Sequence, residues 1–591
     1  MSVTLDRPPV NNAPPPAPKP APNPTVTPRR RMRIGRVVVS GPLLLLVGFL
    51  VLVPVGFVVL AAFSTSVPRP GNIDFALTLE NFRTLADPSV MKATGNSLLI
   101  ASLATLLALI IGGFLAFITA RSNVPFRAFI YAIGLMPLFL PSYVGALAWA
   151  ILGSPSAGLL NVALRDLGLD AVVDVYSFGG VVTVMAIFYA PYAFLMIHSA
   201  MSMMNPDLED AAGVHGGSMA QTLKNVTFPL ALPAILGSGL LIFILVLENF
   251  PVAQVLATPA GIDTLPTYIY RVMMATPARG NDAATVAIVL VGFVLLLTSL
   301  QRRYLAKRSY TTVTGKGMKA RRVDLGRAKW PAVVFAGGYF LIAVVLPLLA
   351  LLLTAGRVSP YMSSFRDLAA PGALDFSVFG EILSSAAFFG VAGNSIFVSV
   401  LAAALGTALA FAVAYVINRT RARGRALLEG ISMVPLAVPH IVLGIGLLWT
   451  WLIMPIPLYG TIWVLVVAFL VVQMPQGLRS VSASIQATHR DLEDSAVMLG
   501  ARRAKAITFV TLPLMKVTLA SSFLLLLMLS MRELTVPLFL YTTDTKILSI
   551  EIFDLFENGG AAQEAAAMSV VYCVIMFIVS YLPQRFGNQK H

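Results

Sequence analysis

Twelve apolar stretches, each about long enough to cross a lipid bilayer, constrain the fold of this 591-residue chain more than any other feature. At a rise of about 1.5 Å per residue, about 20 residues cross the hydrocarbon core, and a helix satisfies its own backbone hydrogen bonds there. Hydrophobic residues make up 57% of the chain and charged residues 12%, whereas a soluble domain is about 25% charged. The composition excludes a soluble globular protein and predicts an all-α polytopic membrane protein. The predicted spans lie near 37–63, 93–119, 128–153, 179–203, 231–250, 283–300, 331–354, 394–417, 427–453, 461–478, 517–540 and 565–580.

The basic residues between these spans predict the orientation of the chain. When the N-terminus is placed in the cytoplasm, the cytoplasmic segments carry 32 of the 42 Lys and Arg residues, and the external loops carry 9. The external loops also carry 16 acidic residues, which makes that side net negative. This bias follows the positive-inside rule and predicts that both termini are cytoplasmic.

The sequence repeats itself in two units of six spans. Gly95-Asn96-Ser97 returns as Gly393-Asn394-Ser395, and the same offset relates Arg121 to Arg419. A second, shorter offset relates the acidic segment 207–210 to 491–494. Because six is an even number, the two units point the same way and form a parallel repeat. We expect a first transmembrane repeat at 37–300 and a second at 331–586.

Three segments lie outside the repeats. Residues 1–36 hold ten prolines followed by a cluster of arginines, a composition that predicts a disordered cytoplasmic tail. Residues 301–330 carry ten basic residues and are interpreted as a cytoplasmic linker, with anionic lipid headgroups as an alternative partner. Residues 587–591 form a short terminal tail. The single cysteine, Cys573, excludes a disulfide within the chain.

Each repeat carries a short polar segment between its fourth and fifth spans. Carboxylates cluster at the start of the segment, where a helix N-terminus favours negative charge. Small residues follow, and a glycine then ends or turns the helix. Such an element can lie across the cytoplasmic face and bind a partner protein. If it occurred only once, it would be interpreted as an ordinary surface helix. The residues selected as the contact are Glu209, Asp210, Ala211, Ala212, Gly216, Glu493, Asp494, Ser495, Ala496 and Gly500.

These two segments resemble the coupling segment of ABC-importer permeases, the Glu-Ala-Ala motif followed by a glycine. Asp210-Ala211-Ala212 with Gly216 matches its spacing, as does Asp494-Ser495-Ala496 with Gly500. Both copies have Asp in place of the usual Glu, and Ser495 replaces the first Ala. The segments 247–251 and 532–537 are similar to those of fused permeases of the ferric-iron importer type. The resemblance implies a type I importer fold over about 37–586.

The resemblance also implies the partners. Two ATP-binding-cassette ATPase subunits would each bind one coupling segment, and a soluble binding protein would release its ligand into a central path. The expected location is the bacterial inner membrane. The chain has no phosphate-binding loop, since no Ser or Thr follows Lys316 in Gly315-Lys316-Gly317. We therefore expect no enzymatic activity and no bound cofactor in this chain, with ATP used by the partner subunits, and no nucleic-acid partner.

Three charged residues, Glu248, Arg532 and Glu533, fall within or at the end of predicted spans. Charges in hydrocarbon are costly and usually face the protein interior, which makes these residues candidates for the translocation path. The alternative is that Arg532 neutralises Glu533 or another carboxylate as a structural pair. Hard carboxylate oxygens suit ferric iron, but no metal site is assigned. His198 and His440 are interpreted as packing residues.

The cargo and the transport class remain open at this stage. The same machinery could carry a polyamine, thiamine or a phosphonate. A secondary transporter driven by ions or protons is the alternative from another class, and the paired coupling segments argue against it.

Overall fold

The computed structural model describes residues 34–306 and 323–587, except Asn72, Asp74, Ala171, Pro206, Gly217 and Pro360. Most of the predicted tail 1–36, the middle of the predicted linker 301–330 and nearly all of 587–591 lie outside the described residues. We call 34–306 the first half and 323–587 the second half. Within the described residues, helices form the whole framework, and β-pairing is limited to three isolated bridges.

The first half contains eleven α-helices among its described residues. They are α1 (Ile34–Phe63), α2 (Pro88–Arg121), α3 (Arg127–Leu135), α4 (Ser142–Gly153), α5 (Leu159–Asp166), α6 (Phe178–Ser202), α7 (Asp207–Val214), α8 (Met219–Thr222), α9 (Phe228–Leu247), α10 (Leu265–Met273) and α11 (Gly280–Ala306).

The second half contains twelve. They are α12 (Lys329–Phe340), α13 (Leu346–Gly356), α14 (Ser377–Ser384), α15 (Ala386–Arg419), α16 (Arg425–Met433), α17 (His440–Ile453), α18 (Ile462–Ala487), α19 (Asp491–Met498), α20 (Arg503–Ala506), α21 (Leu512–Arg532), α22 (Leu548–Glu557) and α23 (Ala562–Gly587). One-turn π-helical segments join α8 to α9, α12 to α13 and α20 to α21.

Ten helices in the described part of the chain are long and apolar enough to cross a membrane, and two bent helix pairs raise the number to twelve. The prediction of an all-α membrane protein with about twelve spans is confirmed. Three boundaries differ by eight or nine residues: α15 begins at Ala386 instead of 394, and α18 continues to Ala487 instead of ending at 478. The eleventh span ends at Arg532, so Glu533 and the apolar residues up to 540 follow the helix instead of extending it. Apolar composition does not distinguish a helix from a buried loop, and this caused the error in the eleventh span.

The two bent pairs occupy the same place in each half. The helix 127–139 meets α4 at 96°, and the helix 425–436 meets α17 at 110°. Pro141 and Pro439 stand directly before α4 and α17 in extended conformation. Proline has no N–H to donate and clashes with the preceding turn, so each proline breaks its span.

The core of each half is built around one long helix, α2 or α15, of 34 residues each. Helix α6 packs along α2, and α18 packs along α15. Small residues permit the close approach: a Cβ on Gly112 would meet Ala190 O, and it would lie 2.7 Å from Ala193 Cβ and from Phe194 N. Such small-residue contacts are typical of membrane helix interfaces.

The first span of each half packs against the other half. Helix α1 contacts α17, where the backbone of Gly446 lies against Pro54 and Phe49 contacts the Trp451 ring edge-on. Helix α13 contacts α4, and Tyr339 of α12 donates a hydrogen bond of 3.2 Å to Ile187 O of α6. The two halves are therefore interlocked, because the first span of each half packs against the broken span of the other.

Candidate functional site

Helices α7 and α19 lie between the fourth and fifth spans of their halves, as predicted for the coupling segments. In α19, the N–H of Ala501 donates to Ala496 O at 3.0 Å, which closes the C-terminal end of the helix around Gly500. Gly216 and Gly500 have φ angles of +77° and +91°. Glycine adopts this left-handed conformation without steric cost, which explains its use after each helix.

A buried ion pair holds α7 to the end of the long helix α2. Arg121, the last residue of α2, lies 3.7 Å from the Glu209 carboxylate through its Nη1 atom. Arg121 and Glu209 are almost fully buried. Thr227, in the π-helical turn before α9, donates a hydrogen bond of 2.7 Å to Glu209 Oε1. One carboxylate thus joins the coupling helix to two membrane helices, and we call these three residues the first socket.

The second half repeats this arrangement. Arg419 Nε lies 3.8 Å from Glu493 Oε1, and Thr511 donates to the same oxygen at 2.7 Å. Two further groups reach the other carboxylate oxygen: Tyr415 OH donates at 2.9 Å, and Arg503 Nη2 lies at 3.9 Å. We call Arg419, Glu493 and Thr511 the second socket. It ties its coupling helix to more groups than the first.

The predicted coupling residues divide into buried and exposed positions. Glu209 and Glu493 point into the sockets, whereas Ala211, Gly216, Ser495 and Gly500 are exposed. Ala212, Asp494 and Ala496 are half-buried, and the Asp210 side chain lies outside the described part of the chain. The Glu thus anchors the helix to the membrane domain, and the described coupling residues after it are half-buried or exposed.

Several large apolar side chains of the coupling helices, and of the residue that follows α19, are exposed on the protein surface. Val214, Met498 and Leu499 are 86%, 88% and 89% exposed, and Leu492 is 48% exposed. Exposed large apolar side chains at the ends of two surface helices are typical of a protein-binding surface.

A polar cluster lies where α9 and α21 end, at the interface of the two halves. Glu533 Oε2 pairs with His440 Nδ1 at 3.0 Å, and Glu533 Oε1 accepts hydrogen bonds from the backbone N–H groups of Thr535 and Val536. Glu248 follows α9 and lies close enough to His440 and Glu533 to interact electrostatically. Among the described residues, the Glu248 carboxylate forms neither a hydrogen bond nor an ion pair.

The neighbours of this cluster are neutral hydrogen-bonding groups and one cation. Asn249 Nδ2 donates to Tyr189 OH at 2.8 Å, and Tyr189 OH donates to Leu245 O. Arg532 is near enough to Tyr189 to interact with it electrostatically. The structure therefore brings the candidate path residues Glu248 and Glu533 together, and it pairs Glu533 with His440 instead of Arg532.

The geometry does not form a conventional metal centre. Within the described residues, no three His, Cys, Asp or Glu side chains converge closely enough to hold a metal ion.

A family model described as "Binding-protein-dependent transport system inner membrane component" matches residues 92–309 and 405–588. The two matched segments fall one in each half and together cover more than half of the chain. The chain belongs to this family. As a permease of this family, it is a multi-pass inner-membrane protein that works with an ATPase and a binding protein.

Two relatives align with the permease over most of its length. The ferric transport system permease protein FbpB of Actinobacillus pleuropneumoniae is 25% identical over 513 residues, which are 86% of this chain and 73% of that protein. The Fe(3+)-transport system permease protein FbpB 2 of Haemophilus influenzae is 23% identical over 539 residues, or 90% and 95% of the two chains.

Other similarities to the permease are shorter. The spermidine/putrescine permease protein PotB of Haemophilus influenzae is 27% identical and aligns with 35% of this chain and 73% of that protein. A crystal structure of a bacterial ABC transporter that imports alginate matches 47% of this chain and 99% of that chain, with 24% identity and a TM-score of 0.37.

Sequence reasoning on the permease missed the partners of Glu209 and Glu493, namely Arg121, Arg419, Thr227 and Thr511. The available signal was the repeat itself: both arginines and both threonines recur at matching places in the two halves. Because the arginines precede their glutamates by more than 70 residues, spacing alone did not reveal the pairs. His440 was interpreted as a packing residue, and its partner Glu533 lies in a loop whose path the sequence does not define.

Proposed function

We propose that this permease imports ferric iron released by a soluble binding protein, driven by two ATPase subunits that bind α7 and α19. The observation that carries the proposal is the pair of sockets. Each half anchors its coupling helix through a buried Glu on the end of its own long membrane helix. A partner that pulls on α7 or α19 would therefore move α2 or α15 directly.

The pair of coupling helices favours an ATP-driven importer over a secondary transporter. A secondary transporter does not need two anchored helices with exposed apolar ends on one face of the membrane. With α7 and α19 in the cytoplasm, both termini are cytoplasmic as well, in agreement with the distribution of basic residues. ATP would be hydrolysed by the partner subunits, and this chain would bind no cofactor of its own.

The choice of iron rests on the relatives and on the chemistry of the path. The two relatives named for ferric transport align with both halves, whereas the polyamine relative aligns with about a third of the chain. Glu248 and Glu533 offer the hard oxygen ligands that a highly charged cation prefers. A polyamine, thiamine or phosphonate carried by the same machinery is the second candidate.

Uptake of radioactive ferric iron into proteoliposomes tests the proposal. The vesicles would contain this chain and its ATPase, with the binding protein added outside and ATP inside. We expect uptake that requires ATP and all three proteins. Glu248→Gln should slow uptake without loss of folded protein, because it removes the unpaired carboxylate of the path. Glu381→Gln removes an exposed external carboxylate and serves as the matched control.

Two results would contradict different parts of the proposal. ATP hydrolysis stimulated by the binding protein without iron entry would refute iron as the cargo. Iron entry that does not depend on ATP would refute the coupling role of α7 and α19.

A further inference from the structure

A cavity of about 530 Å³ lies between the end of α2, the start of α3 and the end of α6. Its polar lining residues are Ser122, Asn123, Arg127, Tyr131 and His198, and we call it the α3 pocket. The volume is within the range of small-molecule sites, about 300–1,000 Å³. Because Ser122 directly follows the arginine of the first socket, the pocket lies on the side of the protein that carries the coupling helices.

The α3 pocket contains hydrogen-bonding groups that the rest of the protein does not use. In the described part of the chain, neither the Tyr131 hydroxyl nor the His198 imidazole forms a hydrogen bond or an ion pair. Their rings contact each other, with 4.8 Å between the centroids. Arg127, the first residue of α3, adds a half-buried guanidinium, a group whose planar donors match the oxygens of a phosphate.

The segment that borders the α3 pocket is net positive. Val323 pairs with the end of α2: its N–H donates to Arg121 O at 2.7 Å, and its carbonyl accepts from the N–H of Asn123 at 3.1 Å. The chain around Val323, residues 301–330, has ten basic residues and one acidic residue, Asp324. An excess of positive charge at the border of a pocket favours an anionic ligand.

Asp324 is the acidic group beside the α3 pocket, and its charge is already balanced by donors. It accepts hydrogen bonds from the N–H of Gly326 at 2.9 Å and from Asn123 Nδ2 at 2.6 Å. These two bonds, the first more than the second, hold the pKa of Asp324 below its usual value. Its repulsion of an anion in the pocket is therefore reduced.

The second half has different residues at the matching place. The offset that relates Arg121 to Arg419 places Glu429 at the position of Tyr131, and the offset of the acidic segments places Ser482 at the position of His198. Helices α16 and α18 form with these residues, so the fold does not require the tyrosine and the histidine. A carboxylate at the tyrosine position would repel an anion, which restricts such a site to the first half.

Longer side chains also occupy this place in the second half. Asn418 Nδ2 donates to Ser482 Oγ at 3.3 Å, and Gln486 Nε2 donates to Asn418 Oδ1 at 2.9 Å. The first half has Ala120 and Ser202 at the positions of Asn418 and Gln486. The shorter side chains of the first half leave space beside His198.

An exposed aromatic residue precedes the α3 pocket in an unfavourable backbone conformation. Phe126 has a φ angle of +57°, whereas the matching residue of the second half is Gly424, with a φ angle of +86°. A bulky residue in this left-handed region costs about 1–3 kcal/mol. Phe126 and Phe129 are both largely exposed. Aromatic rings are favoured at the level of lipid headgroups, so these side chains are typical of contact with a lipid leaflet.

We propose that the α3 pocket binds a phosphate group, with Arg127 as its charge partner and Tyr131 and His198 as hydrogen-bond donors. The phosphate can be carried by an anionic lipid of the adjacent leaflet or by a soluble phosphate ester, and Phe126 and Phe129 favour the lipid. The site does not depend on the cargo and goes beyond the proposed function. A ligand bound there would lie next to the chain segment that anchors the first coupling helix.

Native mass spectrometry of the purified full chain in detergent tests the site by counting bound phospholipids. Phosphatidylglycerol would be titrated, and we expect the wild type to bind one molecule more tightly than the others. Arg127→Gln should weaken this molecule at least about tenfold, which corresponds to about 1.4 kcal/mol. The matched control is Arg425→Gln, which removes the same charge from the first residue of α16 and should bind like the wild type.

Two further variants keep the test valid if Arg127→Gln does not fold. Tyr131→Phe removes only the hydroxyl and keeps the ring contacts with Phe194 and His198. His198→Ser introduces the residue that the second half has at this position. Each should weaken the tightly bound lipid several-fold. Unchanged affinity in Arg127→Gln and His198→Ser, with folded protein, would overturn the proposal.

Glycerol 3-phosphate distinguishes the two carriers of the phosphate in the same spectra. Tight binding of phosphatidylglycerol that depends on Arg127 and is not displaced by glycerol 3-phosphate would assign the site to a lipid. Binding of glycerol 3-phosphate that depends on Arg127, without a tightly bound lipid, would assign it to a soluble phosphate ester. If neither ligand depends on Arg127, the proposal is wrong. Because no measurement involves iron or ATP, this failure would leave the proposed function standing.

Discussion

At the scale of single residues, the sockets depend on charge compensation in a buried place. Glu209 is 5% exposed, and Arg121 is the cation that offsets its charge. Removing one member of a buried ion pair leaves an uncompensated charge, whereas removing both charges is often neutral. The first socket therefore depends on a single arginine, whereas in the second Arg503 approaches the glutamate in addition to Arg419.

We predict that Arg121→Met destabilises the first half by about 3–5 kcal/mol and uncouples ATP hydrolysis from transport. The cause is the buried Glu209 charge, which would draw α7 away from α2 towards water. Thermal unfolding in detergent and reconstituted uptake would measure the two effects. The double variant Arg121→Met/Glu209→Gln should recover much of the stability, because Gln still accepts the hydrogen bond from Thr227. Equal stability of the single and double variants would show that the pair does not hold the helix.

The sequence identified part of the site at this scale. The coupling residues were selected from the duplicated acidic segment and its glycine, and Glu248 and Glu533 from their charge within apolar surroundings. The partners of these residues could not be selected, because Arg121 and His440 approach them only through folding.

At the scale of elements, the contact between α2 and α6 depends on one glycine rather than on its neighbour. A Cβ on Gly112 would lie 2.7 Å from Ala193 Cβ, whereas the nearest atom to a Cβ on Gly113 is Ile197 Cδ1 at 3.7 Å. The first distance is a clash, and the second is an ordinary van der Waals contact.

Gly112→Ala should therefore destabilise the protein by about 1–3 kcal/mol through overpacking, and Gly113→Ala should be nearly neutral. The same substitution at adjacent positions keeps helix propensity constant, so only the packing differs. The folded fraction after heating, followed by fluorescence-detected gel filtration, would measure both variants. A similar loss in both would mean that helix packing does not limit stability here.

A change of polarity predicted some helix boundaries, although α18 continues through polar residues to Ala487, beyond its predicted end at 478. The predicted span 93–119 corresponds to α2, which ends at Arg121 next to polar residues. The predicted span 517–540 overran α21, because the loop after Arg532 is as apolar as the helix. The breaks in the third and ninth spans coincide with Pro141 and Pro439, and their angles of 96° and 110° depend on what packs around them.

At the scale of the whole molecule, orientation is the property that most needs a direct test. We predict that Ser363→Cys reacts with a membrane-impermeant maleimide on intact cells stripped of their outer envelope. Ser218→Cys should react only after the membrane is permeabilised, because it lies beside the first coupling helix. Both positions are exposed, and the native Cys573 is 3% exposed and serves as the unreactive background. The opposite labelling pattern would contradict cytoplasmic termini.

The repeat and its parallel sense were readable from the sequence, because the offsets between equivalent residues are independent of folding. The way in which the two halves pack against each other could not be predicted from the sequence. The positions of α1 against α17 and of α13 against α4 are contacts between apolar surfaces that carry no distinguishing residue pattern.

Helices α10 and α22 begin at equivalent places in the two halves, since the N–H of Leu265 donates to Ser97 Oγ and the N–H of Leu548 donates to Ser395 Oγ. They differ in charge, and this difference bears on how such a protein can evolve. In a transporter assembled from two identical chains, each mutation appears twice, and a new carboxylate faces a copy of itself across the symmetry axis. In this chain one gene encodes both halves, so Asp554 can arise in the second half while Arg271 occupies the matching position in the first. The two halves can therefore evolve different and complementary side chains at matching positions, as the subunits of a heterodimer do.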